Sequence, residues 1–112
     1  MPEGWRLMWV MVFYDLPTTS LDDRRAAVRF HKFLLGDGFE RLHFSVYHRF
    51  CGSMERAVTY ERRVEAALPE RGYVCLLKLT DRQMGGMRTW IKGGYRSETD
   101  AEFAGPEQYL LL

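Results

Sequence analysis

The residues best placed to do chemistry begin with one carboxylate. Asp15 ends the run Leu7–Asp15, LMWVMVFYD, and Leu16-Pro17 follows at once. A carboxylate at the exit of a buried strand is held on a rigid support yet still meets water or a metal, and catalytic groups in α/β and α+β folds often sit there. The plainer reading is that Asp15 only opens the turn through Leu16-Pro17, since Asp favours turns. Spacing alone leaves both readings standing. Asp22 and Asp23, the other nearby acids, fit an exposed first helical turn. Three histidines could supply acid–base catalysis. His31 falls on the apolar face of a helical pattern and reads as a satisfied core residue. His43 and His48 have opposite parity, so in a regular strand they cannot share a face. Arg24-Arg25 and Arg62-Arg63 form local pairs; guanidinium suits bidentate phosphate contacts, but such pairs more often lie on solvated helix faces. Trp5, Trp9 and Trp90 offer stacking surfaces, with Trp9 expected in the core.

The elements that position these groups follow from periodicity. Leu7–Asp15 is apolar on both sides, as a strand buried on both faces would be. Alternation sets Leu7, Trp9, Met11, Phe13 and Asp15 against Met8, Val10, Val12 and Tyr14. Ser20 with Asp23 approximates a capping box, and a helix is predicted over Leu21–Leu35, with Ala27, Phe30, Leu34 and Val28, His31, Leu35 facing the core and Gly36 and Gly38 stopping it. Phe39–Phe50 alternates as strand without Gly, Pro or Asn, either as one long strand or as two joined by a kink. Ser53 caps a second helix over Met54–Leu68, ended by Pro69. Tyr73–Leu79 is the next strand. Thr80–Gln83 resembles another capping box and predicts a short helix around Arg82–Met87, with Thr89–Ile91 as a possible return strand.

The order β-α-β(β)-α-β predicts an α+β, ferredoxin-like βαββαβ sandwich with both helices on one face of an antiparallel-rich sheet. Residues 1–92 form this core domain. Residues 93–112 form an acidic linker and an apolar C-terminal strand, YLLL at its end, that pairs with a partner subunit or folds back on its own sheet. Two helices cover only one sheet face, and a second copy of the chain is the simplest cover for the other. At 112 residues the chain is one domain, and its net charge of +1 gives no electrostatic argument for nucleic-acid binding. The two cysteines, Cys51 and Cys75, lack C-x-x-C spacing, which argues against structural zinc or a disulfide framework. No apolar stretch is long enough for a membrane span and MPEGWR lacks signal-peptide character, so a cytoplasmic protein is expected.

Four segments, VFYDLP at Val12–Pro17, RRAAVRFHKFLL at Arg24–Leu35, GFERLHFSVYHR at Gly38–Arg49 and YVCLLKLTDRQMGGM at Tyr73–Met87, occur in an order and spacing that resemble the small CRISPR-associated adaptation nuclease family, partner of the CRISPR spacer integrase. The LHFSVY and LTDRQ segments are most similar to members from Cas9-type systems. The resemblance implies a homodimer in which the aspartate ending the first strand, here Asp15, faces its copy across the two-fold axis. It implies magnesium-dependent cleavage of RNA or DNA phosphodiesters in some members. It also implies a scaffold that bridges integrase dimers and carries prespacer DNA. Tyr14 and Ser45 match positions near the aspartate, and the family's tail contacts the integrase or the neighbouring subunit.

Magnesium takes oxygen ligands, keeps several waters and can be held by one or two carboxylates plus a substrate phosphate. One Asp15 per subunit is therefore a thin but chemically sufficient site. Arg24, Arg25 and Arg29, just after the Asp15 turn, are the candidate backbone-phosphate contacts. Two functional classes remain: a metal-dependent nuclease using Asp15 of both subunits, and a non-catalytic scaffold for integrase and DNA. A generic ferredoxin-like regulatory domain is a third.

Overall fold

A computed structural model of the protein describes residues 7–93. The lead-in before Leu7, most of the linker and the expected C-terminal strand lie outside the described residues. Four strands, β1 (Met8–Asp15), β2 (Glu40–His43), β3 (Val46–Phe50) and β4 (Tyr73–Thr80), form one sheet in the order β2-β3-β1-β4. All neighbouring pairs are antiparallel. The helices are α1 (Leu21–Gly36), α2 (Met54–Ala66) and α3 (Asp81–Gly85). Each long helix carries the chain past one intervening strand, β1 to β2 and β3 to β4, which is the ferredoxin-like topology expected from the element order.

The helix starts are set by hydroxyl caps. Ser20 Oγ accepts from the Asp23 amide at 3.0 Å, and Ser53 Oγ accepts from Arg56 at 3.1 Å. Thr80 and Gln83 form a reciprocal capping box on α3. Asp37 caps the end of α1 and pairs with Arg63 of α2. The core lies between the helices and one sheet face: Met8, Val10 and Val12 of β1 and Tyr47 of β3 pack with Phe30, Leu34, Ala57 and Val64. Leu34 is fully enclosed, whereas Leu35, also expected to face the core, is 43% exposed, because the buried stripe of α1 is narrower than its apolar residues allow.

Phe39–Phe50 resolves into two strands joined by the two-residue turn Phe44-Ser45. Ser45 takes the left-handed backbone, φ 61°, that Gly or Asn usually marks, and a bulge shifts the register between Arg41 and His43. The parity argument about the histidines therefore fails. His43 stands opposite Val46, on the sheet side that also carries His48. Thr89–Ile91 forms no strand, and Trp90 and Ile91 are exposed. The second helix ends at Ala66, before Leu68.

The sheet's other face carries no helix among the described residues. It is built from Trp9, Met11 and Phe13 with the residues paired to them, Phe50, His48 and Val46 on β3 and Leu79, Leu77 and Cys75 on β4. Trp9 belongs to this open face rather than to the core. Its indole N–H donates to Asp81 at 2.7 Å, and its ring meets His48 and Phe50 edge-on at 5.3 and 5.2 Å.

Candidate active site

β1 is an inner strand of the sheet, and Asp15 is its last residue. Odd parity puts its carboxylate on the open face, where it is exposed to solvent. The backbone that holds it is fixed from three sides. Tyr14 N–H donates to Ser45 O at 3.0 Å, which extends the β1–β3 pairing beyond Val46 into the hairpin turn. On the other side Asp15 stands in register with Tyr73, the first residue of β4. Gly72, at φ 122°, closes against this strand end: a Cβ there would come within 2.5 Å of Leu16 and 3.2 Å of the Asp15 carbonyl oxygen. A residue with a side chain fits neither that φ nor that gap.

Tyr14 and Ser45 thus stand beside Asp15, but through the backbone. The Tyr14 ring points to the helix side, edge-on to Phe30 at 5.3 Å and stacked on Tyr47 at 5.7 Å. Its hydroxyl lies 3.2 Å from Tyr47 Oη, which in turn lies 2.5 Å from His31 Nδ1. His31 is hydrogen-bonded to Tyr47 but half-buried, not part of the buried core expected for it. Burial, helped by the Arg41 and Lys32 charges, pushes its pKa down to about 4, so the imidazole is neutral near pH 7. The Arg41 guanidinium lies 5.1 Å from the Phe44 ring centroid and 5.8 Å from that of Tyr47.

The arginines are placed elsewhere. Arg25 and Arg29, one turn apart on α1, line a groove of about 680 Å³ between α1 and the loop from α2 to β4, on the helix side of the sheet. Arg24 is partly buried and does not line it. Leu16 and Pro17, which directly follow Asp15, line the same groove as Arg25 and Arg29. Asp23, expected to be exposed, is instead buried beside this groove and receives Arg71 Nη1 at 3.2 Å.

Among the described residues, no group of three or more His, Cys, Asp or Glu is arranged to hold a metal. One chain offers one solvent-facing carboxylate at this place, which fits a cation that fills its remaining positions with water and substrate oxygens. Sequence reasoning missed Tyr73, which stands opposite Asp15 on the same face. Only strand register brings the two together, and no local motif marks it. No described helix is long and apolar enough to cross a membrane.

Comparison with known proteins bears on this geometry. Residues 8–87 match the family model described as CRISPR associated protein Cas2. The chain is 69% identical over 112 residues, all of both chains, to a CRISPR-associated endoribonuclease Cas2 2 of Rhodospirillum rubrum. It is 42% identical over 108 residues to a CRISPR-associated endoribonuclease Cas2 of Flavobacterium psychrophilum, covering 96% of this chain and 90% of that one. A CRISPR-associated endoribonuclease Cas2 of Streptococcus mutans is 31% identical over 105 residues, covering 94% of this chain and 92% of that one. The matched span runs from the start of β1 past the end of α3, so it takes in Asp15 and every strand of the sheet.

Proposed function

The chain belongs to the Cas2 family of CRISPR-associated proteins, and we propose that it is a homodimeric, metal-dependent endonuclease acting on RNA through Asp15 of both subunits. The observation that carries the reading is the position of Asp15: an exposed carboxylate at the end of an inner strand, on the sheet face that the described helices leave bare. Two copies joined through equivalent patches would form an isologous interface, with Asp15 repeated across the two-fold axis. Two carboxylates there repel each other and together make an oxygen-rich site for a hard cation. Magnesium, when bound, would neutralise developing oxyanion charge and favour hydroxide formation from water. Asp15 itself holds and orients. The ladder through Tyr14 and Ser45 and the Gly72 contact keep its backbone from moving when charge develops.

The same reading has the dimer work beside the CRISPR spacer integrase in acquiring new spacers, with residues 93–112 pairing with the partner subunit or touching the integrase. Arg25 and Arg29 are exposed on α1, and Arg24 is partly buried beside them. They serve as backbone contacts to prespacer DNA, sequence-independent and salt-sensitive. Cleavage of DNA phosphodiesters rests on the same carboxylate.

A second reading is a non-catalytic scaffold that bridges integrase dimers and DNA. It is favoured by the single ligating carboxylate per chain, with no metal cluster among the described residues. The two are separated by purifying wild type and Asp15→Ala, matching their masses in solution, and assaying single-stranded RNA and duplex DNA with magnesium and with EDTA. Cleavage lost in the variant and in EDTA supports the enzyme. Equal cleavage, or none from either protein, leaves the scaffold, and spacer acquisition with the integrase then reports function.

A further inference from the structure

We propose that Asp23 is a positioning residue for Asp15: by holding Arg71 it seats Gly72 against the strand end and so fixes where the Asp15 carboxylate stands. The inference rests on the reading of Asp15 above and deepens it. Asp22 and Asp23 both lie in the first turn of α1, where negative charge suits the helix dipole. Asp22 does this from solvent, whereas Asp23 is only 8% exposed. Starting the helix therefore does not explain why the second carboxylate is buried. Burying a charge is costly unless it is paired. The partner comes from 48 residues away: Arg71 Nη1 lies 3.2 Å from Asp23 Oδ1 and 3.4 Å from Oδ2.

What the pair ties down is the residue after the arginine. Gly72 is the position where a Cβ would meet Leu16, Pro17 and the Asp15 carbonyl oxygen. Tyr73 then enters β4 in register with Asp15. The contact closes a ring that runs from the strand end through the turn to the start of α1, across to Arg71, and through Gly72 back to the strand end. Both backbones at the exit of β1 are thereby held to the helix layer, which Asp15 itself does not touch through its side chain. A residue that orients a metal-holding carboxylate without touching the metal changes metal affinity by about 10- to 100-fold when replaced.

The test follows amide hydrogen exchange by NMR in EDTA, on the full chain, for wild type, Asp23→Asn, Arg71→Gln and the double variant, with masses in solution measured first. Exchange at Asp15 and Tyr73 should quicken about 10-fold in either single variant. That rise should exceed any change at Val10 and Val12, which report opening of the whole sheet. The double variant should be no worse than Arg71→Gln, because the two changes remove one contact. With magnesium, the metal concentration for half-maximal RNA cleavage should rise about 10-fold in Asp23→Asn, with a smaller change in kcat at saturating metal. A merely structural Asp23 would quicken exchange equally across the sheet and leave that concentration where it was. Such a result overturns the assignment, as does unchanged exchange at Asp15 and Tyr73, or a double variant whose effect is the sum of the singles. If wild type does not cleave, or cleaves as Asp15→Ala does, the Asp15 chemistry fails and exchange alone decides whether Asp23 holds the strand end. If Asp15-dependent cleavage stands and Asp23→Asn moves neither readout, only the positioning role falls.

Discussion

Asp15 and His31 lie on opposite sides of one sheet, and solvent divides their roles. Asp15 is exposed and touches the fold mainly through its backbone, so Asp15→Asn should change stability by less than about 0.5 kcal/mol. Cleavage should nevertheless fall at least about 100-fold, as removal of a charge-stabilising group does; parallel denaturation curves and RNA cleavage assays check both. His31 behaves oppositely. Its pKa drops from 6.5 to about 4 on folding, chiefly by burial. Between those pH values the unfolded chain binds a proton that the folded chain refuses, so stability falls as pH drops through the window and levels off below it. With partial solvent screening the loss is on the order of 1–2 kcal/mol. Urea denaturation from pH 7.5 to 4.5 should show it in wild type, and His31→Gln should remove that component. Asp15 was legible in the sequence because it terminates an apolar run, and His31 only in its side, because it falls on a helical stripe. Trp9 was not, because alternation defines two faces without saying which one the helices cover.

The strands show where local pattern stops being informative. β1, α1 and the three caps follow from apolar periodicity and from hydroxyls placed just before helical runs. The β2–β3 hairpin was hidden because its turn is Phe44-Ser45, with no Gly or Asn to announce a positive φ. That turn carries the carbonyl that receives Tyr14 N–H, so its conformation reaches the candidate site. Ser45→Val should destabilise the chain by about 1–2 kcal/mol, because a β-branched residue resists the left-handed region, while Ser45→Gly should stay near neutral. Chemical denaturation of the pair checks this. Gly72 is the matching constraint on the other side. Gly72→Ala is strained at φ 122° and crowded by Leu16, Pro17 and the Asp15 carbonyl, and should cost about 1–3 kcal/mol. It should also lower cleavage more than Ser45→Gly does, since relief of the clash moves the strand end that carries Asp15. The Asp15–Tyr73 pairing was illegible for a different reason: it depends on how β4 registers against β1, which only the folded sheet decides.

At the scale of the whole molecule, the βαββαβ order predicted one covered and one bare sheet face, and the described residues have that arrangement. Leu77 and Phe50 stand on the bare face at 47% and 42% exposure. Apolar surface of this kind, continuous across three strands, marks an interaction site more often than an accident of composition. Leu77→Glu should therefore give a monomer with an unchanged far-ultraviolet spectrum, and wild type should give a dimer; light scattering on a sizing column measures both. Cleavage should disappear with the dimer if both Asp15 carboxylates are needed. The face also contains its own optical reporter. The Trp9 indole, tied to Asp81 and leaning on His48 and Phe50, sits where a second molecule would exclude water. In a chain carrying Trp5→Phe and Trp90→Phe, its emission should shift to the blue as concentration rises. Subunit association could then be titrated by dilution without any label, and Leu77→Glu would supply the unshifted baseline.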